Sequence, residues 1–262
     1  RSLPAEDAVV LERRERSAGR VRVVAPMLSR IANFDDFDPL RQEPQVEFVF
    51  VPPGQALPGD ADLVILPGTK ATLGDLAFLR GQGWDLDIAA HVRRGGRVLG
   101  ICGGYQMLGR RIADPLGLEG PAGEAAGLGL LEVETVLAAD KTVRPVAGEL
   151  VGGGRFAGYE IHLGVTDGPG TGRPFLVHDD GVAGGAASAD GRVAGAYVHG
   201  LFDRAEARAA LLGRLGAGSD GVDHAVRVDA ALDELAGELE RAFDVEGLAR
   251  IAGCGRALPS PS

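Results

Sequence analysis

The segment Arg97-Val98-Leu99-Gly100-Ile101-Cys102-Gly103-Gly104 constrains this chain more than any other. An apolar run that ends in Gly-x-Cys-x-Gly and passes into Tyr105, Met107 and Leu108 reads as a strand turning sharply into a helix over residues 103–111. Such a turn presents Cys102 at the carboxyl edge of a sheet, where small neighbours let another molecule approach. The helix N-terminus there favours a thiolate, and a nearby histidine would carry the proton. The backbone N–H of Gly103 is then a natural oxyanion donor, with a second expected from the turn near Gly68 or Thr69. The competing reading is a small buried hydrophobe, which describes most lone cysteines in apolar surroundings. The flanking glycines and the strand-turn-helix position favour the nucleophile, whereas Cys254 lacks that context and reads as structural.

The surrounding pattern fits this placement. Residues 21–25, 46–51 and 62–66 are short β-branched or apolar runs bounded by Pro or Gly, and helical stretches are expected around 71–80 and 84–94. The uninterrupted run in 62–66 predicts a strand covered on both faces, as in a parallel sheet. The predicted class is therefore α/β, an open and mainly parallel sheet flanked by helices. After a Gly-rich break over 114–129 the texture changes. Residues 128–135, 157–163 and 192–198 read as strands joined by Gly/Pro/Asp loops, which predicts antiparallel additions in the second half. Helices are expected at 205–215 and 230–243.

Composition excludes several functions. A formal charge of -10 with no dense Lys/Arg cluster argues against nucleic acid as partner, and no run approaches the ~18 apolar residues of a membrane span. Two cysteines permit neither a disulfide framework nor a four-cysteine metal site, so the cytoplasm is the expected compartment. Residues 1–20 read as a linker or tail from a missing N-terminal domain, 21–252 as one domain that includes the C-terminal helices, and 253–262 as a disordered end.

Of the five histidines, His199 in Ala196-Tyr197-Val198-His199-Gly200 ends an apolar strand, where a base would project beside the nucleophile; a core or capping histidine is the alternative. His162 ends another strand and is a second candidate, while His91, His178 and His224 read as surface residues.

Leu66-Pro67-Gly68-Thr69-Lys70, Gly100 to Gly109, Gly158-Tyr159-Glu160-Ile161-His162, Tyr197 to Asp203 and Ser29 to Leu40 together resemble the C-terminal class I glutamine amidotransferase domain of cobyric acid synthases. The resemblance runs in order over residues 21–243. It implies a flavodoxin-like class I amidotransferase fold, Cys102 as nucleophile, His199 as base and Gln106 as a residue that holds glutamine. It further implies an N-terminal ATP-dependent synthetase partner, carrying ATP and magnesium, that uses the ammonia to amidate corrinoid side-chain carboxylates. No cofactor is expected in this chain, since Gly68-Thr69-Lys70 lacks the spacing of a phosphate-binding loop. Many class I members carry Glu two residues after the histidine, but Leu201 stands there. Glu160 is the candidate to orient His199, against a salt bridge or loop anchor as the plain reading. The alternatives in function are a related synthase, acting on cobyrinate or a cell-wall lipid precursor, and a thiol hydrolase built on the same turn.

Overall fold

The computed structural model describes residues 21–253. The expected linker over 1–20, Cys254, and all but the first residue of the expected frayed end lie outside the described residues. The first half alternates strands and helices: β1 (Val21–Pro26), β2 (Ile31–Ala32), α1 (Asp38–Arg41), β3 (Val46–Val51), β4 (Leu63–Leu66), β5 (Gly68–Thr69), α2 (Thr72–Gly81), α3 (Trp84–Arg93), β6 (Arg97–Ile101) and α4 (Gly103–Leu108). Strands dominate the stretch after α4: β7 (Arg111–Asp114), β8 (Gly123–Ala126), β9 (Glu134–Leu150), β10 (Arg155–Asp167), β11 (Leu176–His178), β12 (Ala183–Gly184), β13 (Ala186–Ala187), β14 (Val193–Ala196) and β15 (Val198–His199). Three helices complete the chain: α5 (Ala205–Gly213), α6 (His224–Ala242) and α7 (Val245–Ile251). Contacts divide it into two compact units, and the second begins at Ala225 and contains nearly all of α6 and α7. Among the described residues no helix is long and apolar enough to cross a membrane.

A six-stranded sheet of order β13-β14-β6-β4-β1-β3 forms the centre of the first unit, and only the β13–β14 pair is antiparallel. Its strands are apolar on both faces because both faces are covered. Val23, Ile65, Leu99 and Ile101 enter one core cluster with Leu150, Phe156 and Leu176 of the strand-rich half and Leu212 of α5. Val24, Val64, Leu66 and Val98 enter the other with Leu76, Leu79, Trp84, Ile88, Met107 and Leu108 of α2, α3 and α4. Full burial of each such Val, Leu or Ile side chain contributes about 1.5–3 kcal/mol. The mainly parallel α/β sheet predicted from the sequence is therefore present.

The antiparallel additions form a second sheet of order β12-β11-β9-β10-β15, with β7 and β8 at its side. Three details differ from the sequence reading. The helix after Cys102 stops at Leu108, and Arg111 begins β7. Residues 128–133 are not a strand: the N–H groups of Leu128, Leu130 and Leu131 bond the carbonyls of Met107 and Leu108 at 2.8–2.9 Å, closing the end of α4. Their apolar side chains signalled burial, since Leu131 and Val133 are core, but not pairing. Finally, the single strand expected over 192–198 divides at Tyr197, so β14 belongs to the first sheet and β15 to the second.

Glycine is required where α4 meets β4. A Cβ on Gly104 would lie 2.1 Å from the carbonyl oxygen of Leu66, a backbone atom of a central strand. We expect Gly104→Ala to destabilise the domain by about 1–3 kcal/mol through overpacking. Chemical denaturation checks this, and an unchanged midpoint would contradict the packing described.

Candidate active site

Parallel pairing of β14 on β6 sets Ala196 opposite Ile101, one residue before Cys102 and three before His199. The Cys102 N–H then bonds the Ala196 carbonyl at 2.9 Å, and its own carbonyl accepts the Gln106 N–H at 3.1 Å as α4 begins. Between these bonds Cys102 is held at φ 53°, ψ -112°. For a non-glycine residue this is a strained conformation of the kind that collects at functional sites. The thiol is buried, 8% exposed, with Sγ 3.5 Å from the Ile161 carbonyl. Gly103 opens the helix with its N–H directed away from any intrahelical acceptor, and a Cβ there would meet the Thr69 side chain at 2.5 Å. The Gly68–Thr69 segment therefore closes against the Cys102 turn.

After β14 the chain crosses at Tyr197 to the second sheet, where His199 pairs opposite Tyr159 of β10. The Tyr159 ring stacks on the imidazole at 5.3 Å. A Cβ on Gly68 would approach His199 Cε1 to 3.1 Å, so the glycine is what lets the ring reach the cysteine. His199 Nδ1 lies 2.7 Å from Asp36 Oδ2, and the other carboxylate oxygen, Oδ1, accepts the Gly200 N–H at 2.8 Å. Asp36 sits in the 3-10 turn Phe34–Phe37 that comes after Asn33, whose φ of 53° is the only other positive φ among described non-glycine residues.

Glu160 does not orient His199, which corrects the sequence reading. Successive residues of a strand face opposite sides, and Tyr159, not Glu160, is the residue opposite His199. The Glu160 carboxylate instead takes a 2.8 Å bond from Arg144 and lies 3.6 Å from His178 Nε2. The plain reading of Glu160 as a salt-bridge partner holds. Asp36 occupies the place expected for it, 163 positions from His199 in the chain. The only sequence signal for Asp36 was an acid lodged between Phe34 and Phe37 in the Ser29–Leu40 motif. His91 and His178 are also buried rather than at the surface: His91 Nε2 bonds the Arg97 carbonyl at 2.9 Å, and His178 packs against Phe156.

A cavity of about 280 Å³ opens over Cys102 and His199, lined also by Asn33, Gly68, Thr69, Gly103, Gln106 and His162. Gln106 is anchored from three directions: Oε1 accepts from Thr72 Oγ1 at 2.9 Å, while Nε2 donates to the Leu163 carbonyl at 3.0 Å and to the Tyr197 hydroxyl at 3.2 Å. It braces the cavity floor. His162 stacks on Tyr197 at 3.7 Å and forms part of the wall. Thr69 Oγ1 donates to the buried Asp75 at 2.5 Å, which also takes both the Ser29 hydroxyl and the Arg30 N–H, tying the β1–β2 loop to the β5 turn. No group of three or more His, Cys, Asp or Glu among the described residues is arranged to hold a metal ion. Gly68 and Thr69 pair with β2.

Electrostatics favour a charged imidazole. Burial by itself lowers the His199 value, but hydrogen bonds and charge from Asp36 and Cys102 outweigh it and raise the imidazole to about 10. Burial pushes the Asp36 carboxyl up, opposed by its bond to His199. Asp203 is pushed up to about 7 by burial and by Asp36 and Asp35. We expect NMR titration of His199 to show a midpoint near 10, and a clear downward shift in Asp36→Asn. A wild-type midpoint at or below the ordinary 6.5 would contradict this electrostatic account.

Residues 22–207 match the CobB/CobQ-like glutamine amidotransferase domain family. The chain is 66% identical to the cobyric acid synthase of Caulobacter sp. (strain K31) over 97% of its own length and 53% of that protein's. It is 58% identical to the cobyric acid synthase of Rhizorhabdus wittichii over 97% of its length and 52% of the relative's. It thus spans about half the length of these curated relatives. Among solved structures, a chain of PurLQS from Thermotoga maritima shares the fold at a TM-score of 0.53 and 18% identity, covering 81% of this chain and 99% of that one. On the family match and these identities, the chain belongs to the CobB/CobQ-like glutamine amidotransferase domains.

Proposed function

We propose that this chain is the glutaminase part of a cobyric acid synthase, releasing ammonia from glutamine through Cys102 and His199. The observation that carries the reading is the convergence of a strained cysteine turn and a buried His199–Asp36 pair on one cavity. The Cys102 thiolate attacks the side-chain amide carbon, and the resulting oxyanion is met by the Gly103 N–H and the Gly68–Thr69 turn. His199, protonated, gives its proton to the departing nitrogen, so ammonia leaves and a γ-glutamyl thioester remains. Water then attacks the thioester while the now neutral imidazole takes its proton. Glutamate and the free thiolate result.

Asp36 acts through His199 as a positioning residue. By fixing the proton on Nδ1 it turns Nε2 toward the sulfur, and it stabilises the imidazolium that is present before the first transfer and forms again in the second. Its second oxygen, bonded to the Gly200 N–H, holds the His199–Gly200 backbone against the same carboxylate.

Ammonia needs an activated carboxylate as acceptor. The likeness to cobyric acid synthases over half their length supports an ATP- and magnesium-dependent synthetase half as the receiving partner, with a corrinoid side-chain carboxylate as the group amidated. The same likeness, at 54–66% identity across the first eight relatives, favours this acceptor over cobyrinate or a cell-wall lipid precursor.

Two variants test the hydrolytic reading. Cys102→Ser is expected to abolish ammonia release from glutamine while circular dichroism stays unchanged, and undiminished turnover would end the proposal. Asp36→Asn is expected to lower kcat by roughly 10²-fold, the scale of general acid–base assistance, with KM little altered. A kcat within about twofold of wild type would remove Asp36 from the mechanism.

A further inference from the structure

The cavity over Cys102 carries charges that the hydrolytic steps do not use. Lys70, Lys141 and Glu119 all line it, together with Leu118, Ile161 and Leu163. Lys70 comes directly after β5, whereas Lys141 belongs to β9 and pairs opposite Leu163 of β10, so the two lysines reach the cavity from different elements. Neither lysine has a carboxylate partner among the described residues.

Glu119 is placed there by a dedicated device. It lies in the β7–β8 loop, within the Gly-rich stretch that the sequence marks only as irregular. The buried Asp114 accepts the N–H groups of Leu118 at 2.9 Å and Glu119 at 3.0 Å, and further backbone N–H bonds from Gly117 and Leu116 hold its carboxyl below the usual range against the effect of burial. Pinned in this way, Glu119 spends one oxygen, Oε2, on the Thr72 N–H at 2.6 Å and keeps Oε1 for another donor. Asn33, which also lines the cavity and sits at φ 53°, donates its Nδ2 to the Tyr159 hydroxyl at 2.6 Å, which turns the side-chain carbonyl Oδ1 away from that bond.

We infer that Lys70 and Lys141 bind the α-carboxylate of free glutamine, and that Glu119, with Asn33 Oδ1, binds its α-ammonium. This rests on the glutaminase reading above. The chemistry matches at each point. Free glutamine carries one anion and one cation on the carbon two methylenes from the amide; the cavity that holds the thiol also offers two cations and one anion, with Leu118, Ile161 and Leu163 as apolar lining. Charge-assisted bonds of this kind are the stronger class of hydrogen bond. They also reject any amide that lacks the matching charge, including glutamine within a peptide, because the polar groups of the site are then left unpaired.

Three amides separate the two contacts in this chain: glutamine, glutaramate, which lacks the α-ammonium, and 4-aminobutanamide, which lacks the α-carboxylate. The double variant Lys70→Met/Lys141→Met is expected to reduce the kcat/KM preference for glutamine over 4-aminobutanamide about tenfold or more, mainly through KM. Glu119→Gln, which still accepts the Thr72 N–H, is expected to reduce the preference for glutamine over glutaramate by about fivefold or more. Both preferences staying within about twofold of wild type, with glutamine still hydrolysed, would overturn this inference alone. A wild-type chain that hydrolyses none of the three would instead overturn the glutaminase reading, and this inference with it.

Discussion

The register between β6 and β14 decides the chemistry available to this fold. With Ala196 opposite Ile101, the cysteine leaves the sheet beside the point at which the neighbouring strand crosses over to deliver His199. A slip of one residue would turn every side chain of β14 to the other face and carry the imidazole away from the sulfur. The register is fixed by burial on both sides: Val193 packs with Val98 in one core, and Ala194 and Ala196 pack with Leu99 and Ile101 in the other. Hydrophobic patterning thus sets the distance between two polar groups that take no part in it.

Once register is set, the site is held by bonds that leave it little freedom. The two described non-glycine residues at positive φ, Asn33 and Cys102, each carry a backbone cost on the order of 1–3 kcal/mol, which persists only where the surroundings over-determine the conformation. At Cys102 these are the bonds to Ala196 and Gln106; at Asn33 they are the Tyr159 hydroxyl and the turn that presents Asp36. A buried carboxylate without partners would be costly, and Asp36 has two donors, one of them the ring it orients. Preorganisation of this kind lets the site meet developing charge without rearranging at the moment of reaction.

Much of this was legible in the sequence, and the failures have physical causes. β1, β3, β4 and β6 were readable because β-branched runs between Gly and Pro have few other uses in a buried sheet. Cys102 and His199 were readable because both end such strands. The stretch of β9 from Lys141 to Pro145, mostly exposed, carries no apolar alternation and is a strand because β10 pairs with it, so local pattern missed it. Glu160 was misassigned because motif proximity says nothing about which face of a strand a residue occupies. Asp36 could not be matched to His199 by any local rule, since only the folded sheet brings positions so distant in sequence together. Glu119 was hidden for a further reason: its place depends on Asp114 pinning a loop whose composition signals only irregularity.

The central claim is that Cys102 forms the covalent intermediate, and intact-mass analysis of the protein quenched rapidly after mixing with glutamine addresses it directly. The account predicts a γ-glutamyl adduct that peptide mapping places on Cys102 and that disappears as glutamate is released. Ammonia release with no adduct on Cys102, or with the adduct on another residue, would contradict it.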